Sequence, residues 1–149
     1  MILVFGQDQS VAEWVAQRVP HMFGRFRDFS AIGVSDGNSL VAGVVYHDYY
    51  PAYKHIQISM AADNPKWAQR GIIRALLSYP FDQLKCERIT LTVPHTSARV
   101  LKFTKGIGFV SEGVLRRAFG DSHAVVLGML SRDYLKLVNR LQPPMALAG

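Results

Sequence analysis

The sequence has almost no cysteine. Its one residue, Cys86, excludes an internal disulfide and cannot ligate zinc alone, so no metal site is expected. Long hydrophobic runs are also missing. None approaches the roughly 20 residues that a bilayer requires, which excludes a helical span. The opening Met1-Ile2-Leu3-Val4-Phe5 has no basic leader and is too short for a secretory signal. Charge is sparse at 19% of residues, and there is neither a repeat nor a low-complexity linker. What is present is a 49% hydrophobic chain of 149 residues, enough apolar material for a core and a length that suits one domain. The expectation is a soluble cytoplasmic domain over 1–149, with 142–149 as a flexible tail.

The charge that exists is unbalanced: 17 Lys and Arg against 11 Asp and Glu, formally +6. Such an excess suits an anionic partner, whether nucleic acid, an anionic membrane or a phosphate-bearing cofactor. The bases scatter as Arg25/Arg27, Arg70/Arg74, Lys102/Lys105, Arg116/Arg117 and Arg132/Lys136/Arg140. Scattered bases read as solvated faces, so neither nucleic acid nor membrane is expected as a partner. Arg70 and Arg74 stand apart because of the segment they occupy.

Ser10-Val11-Ala12-Glu13 has the pattern of a capping box, with Val11, Trp14, Val15 and Val19 on one helical face and Pro20 as its stop. Ser30–Val34 and Leu40–Tyr46 read as strands joined at Asp36-Gly37, and 47–53 as an aromatic loop. His55–Ala62 alternates as a strand. From Ile72 to Leu84 the spacing turns helical, with Pro80 bending its end. Arg88–Val93 is a strand, and Ser97 caps a helix with Val100, Leu101, Phe103 and Ile107 inward. Gly108 ends that helix. Val110–Ala118 and Ala124–Leu130 form a hairpin, followed by a helix bearing Tyr134, Leu135, Val138 and Leu141. The order predicts an α/β (α+β) fold, a mixed and mostly antiparallel sheet with helices packed on it. The strand–helix–strand unit in the middle predicts one parallel pair.

Residues 63–77 carry the chemistry: a strand leaves the sheet, a polar loop turns, and a helix opens with Gly71 in its first turn. Amides at a helix start bind phosphate, Gly71 permits close backbone approach, and Arg70 and Arg74 add charge. A capped helix with two solvated arginines accounts for the same residues.

Pro65, Trp67, Gly71 and Arg74-Ala75-Leu76-Leu77 match, in register, a signature of the GNAT superfamily of N-acetyltransferases. Gly108-Phe109 and Glu112-Gly113 match its second half. The chain therefore resembles that superfamily over about residues 30–130, in particular its small bacterial and phage members. The resemblance implies a GNAT-like fold with helices on both faces and acetyl-CoA as the cofactor. It implies an amine of a small molecule or protein as acceptor, homodimerisation as in many relatives, and host cytoplasm for a phage-encoded chain. Gln69, Arg70, Gly71, Ile72, Ile73 and Arg74 are then expected at the diphosphate, Ser97 at pantetheine, and the main chain of Met60, Ala61 and Ala62 along the thioester arm. Several positions depart from the family. Ala68 replaces an Arg or Gln, Ile73 a small residue beside the diphosphate, Ser97 an Asn and Thr104 an acidic Tyr; Thr92 stands where some members place a basic Glu.

An attacking amine must lose a proton, which requires a base. His95, just past the central strand, has a suitable ordinary pKa, although an exposed loop histidine is the simpler reading. Asp48 and His55 are further candidates, and Thr104 is a candidate hydrogen-bond donor to the leaving thiolate. Asp48, Tyr49 and Tyr50, with His47, Tyr46 and Tyr53, are candidates for an acceptor wall. A non-catalytic relative that binds a macromolecule is the alternative function.

Overall fold

The computed structural model describes residues 1–19 and 26–141. Pro20 as a helix stop, Arg25 and the tail 142–149 lie outside the described residues. Seven strands form one sheet in the order β1 (Ile2–Val4), β2 (Ser30–Ser35), β3 (Leu40–Tyr50), β4 (His55–Ala62), β5 (Arg88–Pro94), β7 (Ser122–Leu130) and β6 (Val110–Phe119). Four helices accompany it: α1 (Asp8–Ala16), α2 (Arg70–Ser78), α3 (Ala98–Gly106) and α4 (Ser131–Leu141). Neighbouring strands are antiparallel except β4 and β5, which are parallel. The mixed sheet and its single parallel pair are as the sequence predicts.

Strand alternation sorts side chains onto two faces. Val45 stands opposite Ser59 on one face, and Val44 opposite Met60 on the other. On the first, α1 lays Val11 and Val15 against Val45 and Ala31. That approach depends on Gly43, where a Cβ would lie 2.9 Å from a Val15 methyl. On the second, Ile73, Leu76 and Leu77 of α2 and Tyr134 and Leu137 of α4 bury against Val44, Tyr46, Ile58, Ile89 and Leu127. Each fully buried aliphatic chain there stabilises the fold by about 1.5–3 kcal/mol. The Tyr46 hydroxyl donates to the Leu76 carbonyl, which satisfies the polar end of a fully buried ring. Pro80 follows α2 in a π-helical turn over Tyr79–Gln83.

Several local expectations are corrected. Helix α1 begins at Asp8, and Ser10 lies inside it; Glu13 accepts from the Gln9 side chain at 2.9 Å instead of closing a capping box. Ser97 occupies the N-cap of α3 but makes no capping bond. In α3 the buried residue is Thr104, whereas Val100 is 40% exposed. Thr104 tolerates burial because its hydroxyl donates to the Val100 carbonyl at 2.8 Å. In α4 the inward stripe is Tyr134, Leu137, Val138 and Leu141, and Leu135 faces solvent. The aromatic segment 47–53 is largely strand: β3 continues through His47 to Tyr50, and only Pro51–Tyr53 turns. Asp48, at φ 49°, forms a bulge that lets pairing resume at Tyr50 opposite His55.

Candidate active site

Strands β4 and β5 are paired only at their start, from His55 opposite Arg88 to Ile58 opposite Leu91. Beyond that point β4 stays with β3 as far as Ala62, and β5 stays with β7 as far as Pro94. The sheet therefore forks. Each inner edge of the fork presents backbone N–H and C=O groups that have lost their cross-strand partners. A cavity of about 490 Å³ fills the fork. Its walls include Ser59 to Asp63 from β4 and its exit, Leu91 to Pro94 from β5, and Ser97 and Val100 from α3. Arg18, Phe119 and Ser122 close it from elsewhere in the chain. The volume lies within the range of small-molecule sites, about 300–1,000 Å³.

Helix α2 starts just beyond β4, after Asn64 caps a 3-10 turn over Pro65–Trp67. Gln69 is its N-cap and contributes no side-chain bond, so the amides of Arg70, Gly71 and Ile72 head the helix. A Cβ built on Gly71 meets nothing within 4 Å. Arg70 and Arg74 are exposed, while Ile72 and Ile73 are buried in the core. The Ile73 side chain packs in the core with Tyr46, Met60 and Trp67.

Met60, Ala61, Ala62 and Ser97 line the cavity; Gln69 to Arg74 form the separate helix start. Other candidates lie elsewhere. Tyr49 and Tyr50 are at the opposite end of the sheet, where Tyr50 pairs with His55, so they form no wall of this cavity. Tyr46 is buried beneath α2. His95 is exposed, and its Nδ1 accepts from the His123 amide at 2.9 Å, which occupies that lone pair. Thr104 is wholly buried with its hydroxyl directed back into its own helix, and therefore offers no donor to a thiolate. Asp48 also stands outside the cavity wall; it accepts from His47.

Two features escape the sequence. Arg18 bonds both carboxylate oxygens of Asp63 at 2.8 and 2.9 Å while stacking over Trp14, pinning the end of β4 to α1. The guanidinium holds the Asp63 carboxyl below the usual carboxylate range. The second is a line of bonds behind the fork. The His47 imidazole, itself buried, lies 2.8 Å through Nε2 from Ser59 Oγ and 2.6 Å through Nδ1 from Asp48 Oδ2. No spacing rule reports either contact: the packing of α1 on the sheet brings Arg18 to Asp63, and the register of β3 with β4 brings His47 to Ser59.

His55 bonds Thr90 through Nε2 at 2.6 Å, and burial followed by the nearby Arg88 lowers its pKa below 6.5. A histidine whose folded pKa is depressed contributes stability above its unfolded pKa and loses it as pH falls through the folded value. Melting temperature is therefore expected to decline from pH 7 towards pH 5, with a shallower decline in His55→Asn; identical slopes would contradict it.

No family model matches the sequence, and no curated protein matches it. Solved structures do. A spermidine/spermine N-acetyltransferase, a mutant form of SpeG from Vibrio cholerae, superposes with a TM-score of 0.71 at 15% identity, over 91% of this chain and 97% of that one. A second mutant form of the Vibrio cholerae spermidine N-acetyltransferase gives 0.69 at 14% identity, over 95% and 100%. A protein from T. thermophilus, provisionally assigned as an acetyltransferase, gives 0.69 at 19% identity, over 87% and 73%. The chain has the GNAT-like fold of these acetyltransferases: a mixed sheet forked at its one parallel pair, with helices on both faces.

Proposed function

We propose that the protein is an acetyl-CoA-dependent N-acetyltransferase that acts on an amine of a small molecule or protein. The observation that carries the reading is the fork between β4 and β5, with an uncapped helix start following β4 in the chain. The residues present fit the group. The amides of Arg70 to Ile72 and the Arg70 and Arg74 guanidinium groups suit a diphosphate. The open edge of β4 from Met60 to Ala62 suits the amides of a pantetheine arm, and Ser97 adds a hydroxyl on the opposite wall. When bound, acetyl-CoA supplies an activated acetyl group for the amine to take up. The chain's part is to orient the two reactants and to aim a backbone N–H of β4 at the oxygen that gains charge.

The test is thermal denaturation with acetyl-CoA, followed by thiol release with a panel of primary amines. Ligand at 100 times its Kd stabilises by about 2.7 kcal/mol, which raises the melting temperature by several degrees. Stabilisation with thiol release is the expected outcome, whereas an unchanged melting temperature at millimolar acetyl-CoA overturns the reading. Stabilisation without thiol release from any amine favours the second reading, a CoA-holding protein that acts by binding. That alternative draws on Thr104, whose hydroxyl is spent within its own helix, and on His95, whose Nδ1 is taken by the His123 amide.

A further inference from the structure

We propose that Ser59, His47 and Asp48 form a proton relay that carries the acceptor amine's proton out of the cavity to solvent; this rests on the acetyltransferase reading.

Ser59 stands on β4 one residue past the last β4–β5 pair, at the root of the fork, and lines the cavity. Opposite it on β3 is Val45, so His47 is its diagonal neighbour on the same face, within reach of a long side chain. The imidazole is 5% exposed and bonds Ser59 Oγ at 2.8 Å and Asp48 Oδ2 at 2.6 Å. Since the carboxylate only accepts, Nδ1 carries the hydrogen and Nε2 accepts from the serine hydroxyl. The bulge at Asp48 turns the carboxylate back onto the ring and leaves its side chain 52% exposed. One end of the line thus meets the cavity, the other meets water, and the middle is dry.

Among the described residues, Asp48 is the charged group bonded to His47. The His47 ring also bonds Ser59 and lies 5.4 Å from the Phe26 ring, and Gln57 stands in register opposite, none of them charged. The charged groups of the cavity wall, Arg18 and Asp63, are paired with each other.

The step balances as follows. An N–H bond of the substrate ammonium breaks and its proton passes to Ser59 Oγ as the serine proton passes to His47 Nε2. The amine keeps the electron pair it needs for attack. The imidazolium is held by Asp48 and returns to neutrality by releasing its Nδ1 proton through that exposed carboxylate to water. The ring then holds its hydrogen on Nε2; it regains its first tautomer by taking a proton from water at Nδ1 through Asp48 while the Nε2 proton passes back through Ser59 to the departing thiolate.

The first readout needs no substrate. Long-range 1H–15N spectra of the free protein at pH 7 should show His47 protonated at Nδ1 and bare at Nε2; an Nε2-protonated ring overturns the relay. The second compares two nucleophiles with acetyl-CoA: spermidine, whose amines are protonated at neutral pH, and hydroxylamine, which is already unprotonated. Ser59→Ala and His47→Asn should each slow spermidine turnover about 100-fold, the scale of general base catalysis, and hydroxylamine turnover far less. Ser59→Thr, which keeps a hydroxyl, should recover most of the loss. Acetyl-CoA affinity by calorimetry should be unchanged, which also reports that the variants are folded. Equal losses with both nucleophiles, or turnover in Ser59→Ala equal to the parent, overturn the relay alone. A parent protein that fails to bind acetyl-CoA overturns the acetyltransferase reading first, and the relay with it.

Discussion

Gly71→Glu is expected to weaken CoA binding by about tenfold or more while the melting temperature holds or rises. Gly71 is the second residue of α2, and a side chain there meets nothing within 4 Å, so the fold accommodates it. An acidic group in a first helical turn stabilises by about 0.3–1 kcal/mol, and replacing a helical glycine adds a similar amount. The same carboxylate would stand where the diphosphate is proposed to bind. Two like charges a few ångströms apart at a protein surface repel by about 1–3 kcal/mol after solvent and salt are allowed for. Stability and binding should therefore move in opposite directions, a signature that general damage does not produce. Gly71→Gln, similar in size but neutral, should bind several times more tightly than the glutamate variant. Calorimetric Kd values that coincide for the two variants and the parent would remove the diphosphate from this helix start.

The largest effect on stability is expected at the root of the fork. Ile89 is fully buried on β5, opposite Ile56 of β4 and Met129 of β7, within the short stretch where the two parallel strands are joined. Ile89→Ala removes three carbons from a place where the backbone on both sides is held by ladder bonds and closes poorly around the void. The cost should be about 3–4 kcal/mol, or a fall of about 8–12 °C in melting temperature for a chain of this size. Leu135→Ala is the comparison, since Leu135 is 60% exposed on α4 and its truncation should change stability by less than about 0.5 kcal/mol. Denaturant unfolding of the pair measures the difference, and comparable losses would contradict this account of the core.

Much of the fold was legible because periodicity reports which side of an element is buried. The alternation of Ile56, Ile58 and Met60 marked β4, and the change to helical spacing at Ile72 marked α2 and hence the parallel pair. The failures have physical causes. Strand β1 has only three residues and no alternation to display. The end of β3 was masked by aromatic and polar residues, since Asp48 enters a positive φ that lets a strand pass through a loop-like sequence. Thr104 took the buried place on α3 because a hydroxyl bonded to its own helix can be buried at little cost.

The site divides in the same way. Met60, Ala61, Ala62 and Ser97 were placed by the family resemblance alone, and they line the cavity. Arg18, Phe119 and Ser122 reach it from distant parts of the chain, a closeness that depends on tertiary packing rather than local pattern. His47 and Ser59 meet only because β3 and β4 pair in one particular register; a shift of one residue would send Ser59 to the opposite face. His95 drew attention through its residue type, yet its ring is engaged by the neighbouring hairpin.

The central claim, that this fork holds a CoA thioester, is tested most directly by a crystal structure of the protein grown with CoA. The account predicts the diphosphate on the amides of Arg70 to Ile72 and the pantetheine arm running between β4 and β5 past Met60 and Ser97. A fork without the arm, or CoA seated on another surface, would contradict it.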